Sequence, residues 1–121
     1  MIEKQNSKQY DLEDRTLEFA KQVRLFVRKL NRSLANLEDG KQLIRASGSV
    51  GANYIEANEA LSKKDFVMRA KICRKEAKES RYWLRLIDIG DQGQLENERK
   101  KLETEAKELT HIFGAIVTKS E

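Results

Sequence analysis

The chain has 121 residues, 39% of them apolar and 36% charged, with a formal net charge of +4. That length suits one domain with a single core, and the charge density suits elements that each bury one stripe and expose the rest. There is no apolar signal core near the start and no run of about eighteen apolar residues of the kind a bilayer span needs. The only cysteine, Cys73, has no second cysteine to pair with, so a reducing, cytoplasmic location without a membrane is expected.

Spacing of apolar residues predicts four helices, at roughly 12–31, 35–61, 63–89 and 94–118. In the first, Leu12, Thr16, Phe19, Val23, Phe26 and Leu30 alternate steps of four and three, and Asp11 with Asp14 can accept from first-turn amides. The second carries Leu43, Ser47, Val50, Tyr54, Ala57 and Leu61, with Ser33 and Asn36 both fitting as its cap. The third keeps an unbroken seam of Phe66, Ala70, Cys73, Ala77, Ser80, Leu84 and Ile87 behind the capping-box pattern Ser62-Lys-Lys-Asp65. After a Gly90-Asp-Gln-Gly93 turn, the fourth runs Leu95, Arg99, Leu102, Ala106, Leu109, Phe113 and Ile116, with Arg99 as its one charged interruption. The first ten residues and the last few are expected to fray, and Tyr10 and Tyr54 are read as packing aromatics. Proline is absent and no segment alternates with period two, so the seams must cover one another. The expected architecture is all-α: an antiparallel, up-down-up-down four-helix bundle spanning 1–121 as one domain.

The second helix holds six small residues in seven positions, Ala46, Ser47, Gly48, Ser49, Gly51 and Ala52. Each glycine costs about 1 kcal/mol against alanine within a helix, so something must offset it. A phosphate cradle would follow a strand and end in GK[ST]; this run does neither, and close approach of a neighbouring helix is the simpler account. Beside it, Ser49, Asn53, Glu56, Glu76 and Glu79 border two facing seams. Paired carboxylates can serve acid–base or di-metal chemistry, but a bundle di-metal site needs Glu-x-x-His on two helices. With His111 the single histidine, read as a solvated surface residue, these five positions are assigned to structural hydrogen bonds and ion pairs, with Arg45, Arg69 or a backbone group as partners. No catalytic residue, metal or cofactor is predicted.

Charge is concentrated in one helix. From Lys63 to Arg85 nine basic residues face three acidic ones, a net +6 within a chain of +4, so the remainder is net negative. Lys71, Arg74, Lys78, Arg81 and Arg85, with Lys75 beside them, form a stripe about 110° round from the core seam. Such a stripe is either plain solvated surface or a contact for nucleic acid or another acidic partner. Only Tyr82 and Trp83 interleave with it, which argues against a base-stacking platform and for phosphate contact. Ile72, Trp83 and Leu86 mark the opposite flank, to be buried within the bundle or used as an oligomer interface.

Five segments of this chain carry a resemblance. Gly40-Lys-Gln-Leu-Ile-Arg45, Ser49-Val-Gly-Ala-Asn-Tyr-Ile-Glu56-Ala, Lys64-Asp-Phe, Lys75-Glu-Ala-Lys-Glu79 and Tyr82-Trp-Leu84 are similar to the signature of the bacterial four-helix bundle proteins encoded within 23S ribosomal RNA intervening sequences. The resemblance runs from about Asp11 into the last helix. It implies an all-helical bundle that assembles into a homopentamer, without enzymatic activity, and it supplies no catalytic residues. A more distant likeness is to the accessory variability determinant of diversity-generating retroelements, a pentameric barrel that binds nucleic acid and a reverse transcriptase.

Two functions are therefore expected in turn. One is a non-enzymatic homo-oligomer that associates with RNA or DNA phosphates through Lys71, Arg74, Lys75, Lys78, Arg81 and Arg85. The other is a protein-interaction scaffold, for example an accessory partner of a reverse transcriptase, with no direct nucleic-acid role. An enzyme is third, because no nucleophile, base and orienting group converge at a known spacing.

Overall fold

The computed structural model describes residues 11–121, so the expected fraying of the first ten residues and the packing of Tyr10 lie outside the described residues. Four helices make up the fold, α1 (Leu12–Arg28), α2 (Leu34–Asn58), α3 (Lys63–Leu86) and α4 (Leu95–Ser120). Three of them start on a side chain that satisfies a first-turn amide. The Asp11 carboxylate accepts from the Asp14 amide at 2.9 Å, the Ser33 hydroxyl from Asn36 at 3.1 Å and the Ser62 hydroxyl from Asp65 at 3.0 Å. Ser33 is thus the α2 cap, and Asn36 is left for another use.

Contacts between neighbouring helices run in opposite senses. Arg15 meets Glu105 while Lys29 meets Glu98; Thr16 lies by Gly51 while Val27 lies by Gly40; Cys73 bonds to Val50 and Arg69 to Asn53. Each helix is therefore antiparallel to the next, and α1 closes the ring against α4. Between them Val23, Phe26, Leu43, Val50, Leu84, Leu109 and Phe113 are fully buried, and the Tyr54 ring meets Phe113 edge-on at 5.6 Å.

Several boundaries differ from the sequence expectation, each for a local reason. α2 stops at Asn58 because the Glu59 and Ala60 amides turn back onto the carbonyls of Glu56 and Ala57, both at 3.1 Å. Leu61, expected in the seam, is 99% exposed, since Ser62 already begins the next helix. α1 and α3 end at Arg28 and Leu86, yet Leu30 and Ile87 just beyond them stay buried as non-helical parts of the core. α4 does not fray near 118 and continues to Ser120, with Val117 buried ahead of the half-buried Ile116.

Two small-residue contacts seat α1. A Cβ added at Gly51 would come within 2.7 Å of Thr16 Oγ1, closer than real Cβ atoms approach, and one at Gly40 within 3.3 Å of Val27. Thr16 has little room to yield, because its hydroxyl donates to the carbonyls of Leu12 and Glu13. Gly51 is therefore required by the approach of α1 rather than by any ligand. Two polar side chains, the buried Asn36 and the half-buried Arg99, lock one end of the bundle. Asn36 donates to the carbonyls of Asn31 and Asp88 and accepts from the Asp88 amide, joining the two connections at that end. Arg99 donates to the carbonyls of Leu84 and Ile87, which answers its place in an apolar seam: it caps the C-terminus of α3.

Candidate functional site

α3 buries Ala70, Cys73, Ala77, Ser80 and Leu84, residues small enough to draw it close to both α2 and α4. Helical periodicity then leaves the stripe on the side toward α4, where the two helices flank an open groove of about 810 Å³. Lys71, Arg74, Lys75, Lys78, Arg81, Tyr82 and Arg85 line it from α3, and Lys107, Thr110 and His111 line it from α4. On the same face of α4, a Cβ added at Gly114 would stand 3.8 Å from the Arg74 side chain. All six cations of the sequence-predicted stripe are thus brought together in one groove.

Sequence reasoning missed the second wall. Lys107, Thr110 and His111 follow three-four spacing, so a wheel places them on one side of α4, but it does not say that this side adjoins the stripe. His111, expected as an ordinary surface residue, lies in this wall.

Among the described residues no carboxylate lines the groove, and its charge stays largely uncompensated. Lys71 reaches Glu121 at 3.3 Å, while Lys75 leans toward Glu76 and Glu79 at 3.8 and 3.9 Å. Among the described residues Arg74, Lys78, Arg81, Arg85 and Lys107 pair with no carboxylate. The half-buried Arg81 also holds a fully buried Nε with no acceptor. Residues three and four apart on a helix have Cβ atoms about 5–6 Å apart, inside the roughly 8 Å screening length of physiological salt, and two like charges about 6 Å apart repel by about 0.7 kcal/mol even in water. Their potentials therefore add along the groove.

The other singled-out residues have different surroundings. Asn53 donates to the carbonyl and hydroxyl of Ser49 and accepts from Arg69, each at 2.9 Å, tying α2 to α3. Glu76 is half-buried and Glu79 exposed, both beside Lys75. Glu56 is exposed in a shallow cleft with Glu59 and Asp65, where Arg69 is the one cation. Trp83 packs against the core and meets the Tyr82 ring edge-on at 5.1 Å, Ile72 is half-buried, and Leu86 is exposed. A smaller cleft of about 280 Å³ between α1 and α2 carries Arg28, Arg32 and Lys41 over an apolar floor.

Nucleophilic and metal chemistry find little foothold among the described residues. Burial pushes the Cys73 thiol up to about 12, and it donates to the Val50 carbonyl, so at neutral pH it is a protonated core residue. No group of three His, Cys, Asp or Glu side chains there is placed to hold a metal ion. No helix among the described residues is long and apolar enough to cross a membrane.

Fold and groove together define a four-helix bundle protein with a polycationic interhelical groove. The chain belongs to the 23S rRNA-intervening sequence protein family, whose family model matches residues 8–115. It is also similar to a crystal structure of a protein of unknown function from the S23 ribosomal protein family of Bacteroides thetaiotaomicron. The two share 27% identity with a TM-score of 0.75, over 88% of this chain and 98% of that one. No curated protein matches the chain. Neither match bears on the likeness to the retroelement accessory determinant.

Proposed function

We propose that this protein is a cytoplasmic, non-enzymatic homo-oligomer that binds the phosphate backbone of RNA or DNA in the groove between α3 and α4. The observation that carries the reading is the absence, among the described residues, of carboxylate partners for Arg74, Lys78, Arg81, Arg85 and Lys107. Cations held this close are favourable when anions lie among them, and a phosphodiester chain supplies anions at short, regular intervals. Self-association is supported by exposed apolar side chains on several helices, Leu17, Leu25, Ile55, Met68 and Leu86 among them.

Binding of a labelled oligonucleotide across a salt series tests the groove. With about five phosphates neutralised on a single strand, the slope of log K against log salt is about −3.5. Arg74→Glu with Lys78→Glu reduces affinity by roughly 100-fold at low salt and flattens that slope, because two contacts become two repulsions. Lys41→Glu, at an exposed site paired to Glu38 away from the groove, leaves affinity within about twofold. Binding that survives the groove reversals, or no binding at low salt, removes the proposal. Light scattering reads the oligomeric state separately, and a monomer at all concentrations removes that part.

A further inference from the structure

Resting on the groove reading above, we infer that the bound nucleic acid is a single strand, with one base stacked on Tyr82 and its phosphates lying along the α3 cations. The groove is a valley between two packed helices, whose axes lie about 8–10 Å apart. A duplex is far broader, its major groove alone being about 12 Å wide, so it rides on the rims and leaves the floor unused. A lone sugar–phosphate chain is slim enough to enter. Arg81 is half-buried in the groove lining, so a chain in the groove lies beside it, whereas a duplex on the rims stands above it.

Tyr82 supplies the second observation. It lines the groove among the cations, it is 57% exposed, and its ring meets Trp83 edge-on at 5.1 Å with 76° between planes. Trp83 is anchored on the core, so the tyrosine ring has a fixed support behind it. Bases of a single strand present their faces for stacking, whereas a duplex keeps them inside. The sequence pattern argued that aromatics near the stripe are too few for a stacking platform; the groove narrows that conclusion, since one correctly placed ring takes one base. From Lys71 to Arg85 the stripe rises about 21 Å, and a strand stacked at about 3.4 Å per nucleotide lays about six nucleotides beside it. Every base has a π-face, so the contact is tolerant of sequence.

Fluorescence anisotropy with short oligo(U) and oligo(dT) strands, and with RNA and DNA duplexes of matched length, tests this at low salt. At least one of the two strands binds tenfold or more tighter than either duplex, and the tighter of the two identifies the preferred sugar. Tyr82→Ala, checked for retained helicity, weakens strand binding roughly 5- to 150-fold, Tyr82→Phe restores it, and the salt slope and duplex affinity stay where they were. If duplexes bind as tightly as strands, or Tyr82→Ala is without effect on strands, the single-strand inference is overturned while binding in the groove stands. If no probe binds the unmodified protein, both fall together.

Discussion

α1 and α3 both lie against α4, and both contacts are rich in charge, but they are built in opposite ways. On the α1 side Arg15 takes Glu105 through two nitrogens at 2.7 and 2.8 Å and Glu108 at 2.7 Å, while Lys29 takes Glu98 at 3.0 Å. These acids hold the Arg15 guanidinium above its ordinary range, the hydrogen bond to Glu105 contributing most. On the α3 side α4 offers Lys107, Thr110 and His111 to a row of cations along an open groove, with the two helices closely packed beneath it. Along the α1–α4 contact the chain supplies opposite charge and, between α1 and α2, glycine; along the groove above the α3–α4 contact it supplies charge of one sign. α4 sorts its own residues accordingly, acids toward α1 and Lys107 toward α3. Such segregation within one helix argues that the groove's charge is more than a solubility device.

The closed contacts break most severely at Gly51. Gly51→Val drives a branched side chain into Thr16 and destabilises the fold by about 3 kcal/mol, while Gly51→Ala costs about 1–2 kcal/mol despite its better helix propensity. Thr16→Ala in the same chain recovers about 1 kcal/mol of the alanine variant's loss, since it removes the clashing oxygen; a rise in Tm for Gly51→Ala alone ends this account. Next in size is Arg99, which caps α3 at one end of the α3–α4 contact. Arg99→Met leaves the Leu84 and Ile87 carbonyls without their charged donor and costs about 2 kcal/mol by denaturant titration, and a loss below about 0.5 kcal/mol would mean water serves equally well. Arg15→Ala is smaller, about 0.5–1 kcal/mol, because the pair is partly solvated at 30% and 28% exposure. Its cost shrinks as salt is added, and nucleic-acid binding is unchanged.

The seams were legible because a buried stripe forces three-four spacing on the sequence, and most of Leu12 to Phe26, Leu43 to Ala57 and Ala70 to Ile87 obeys it. Failures came where a second constraint acts. Leu61 fits the period but lies past the turn that Glu59 and Ala60 make, and Arg99 fits no apolar rule because its task is set by carbonyls twelve and fifteen residues away. Asn36 is similar, its partner Asp88 being 52 residues distant. Half of the candidate site was visible, since a stripe on one helix is a local pattern. The α4 wall was not, because which flank of Lys107 and His111 meets α3 is decided by how the helices go round the bundle, and periodicity is silent on that.

The finest test of the comparison is one of sign. Lys78 has Arg74 four residues before it and Arg81 three after, so it repels neighbours on both sides of its helical turn. Like charges at these spacings cost about 0.2–0.5 kcal/mol per pair at low salt. Lys78→Gln therefore stabilises the free protein by a few tenths of a kcal/mol in dilute buffer, and the gain fades by about 0.5 M salt as screening falls below the distance between the charges. Arg15→Ala shifts in the other direction under the same titration, because there salt weakens an attraction. With saturating oligonucleotide the sign at Lys78 inverts: the bound phosphates stabilise the parent protein more than the variant, by the difference in their binding free energies. Equal salt responses for the two variants would mean that α4 meets α1 and α3 on the same electrostatic terms. Opposite responses, inverted at Lys78 alone by nucleic acid, are what a groove kept open for an anion requires.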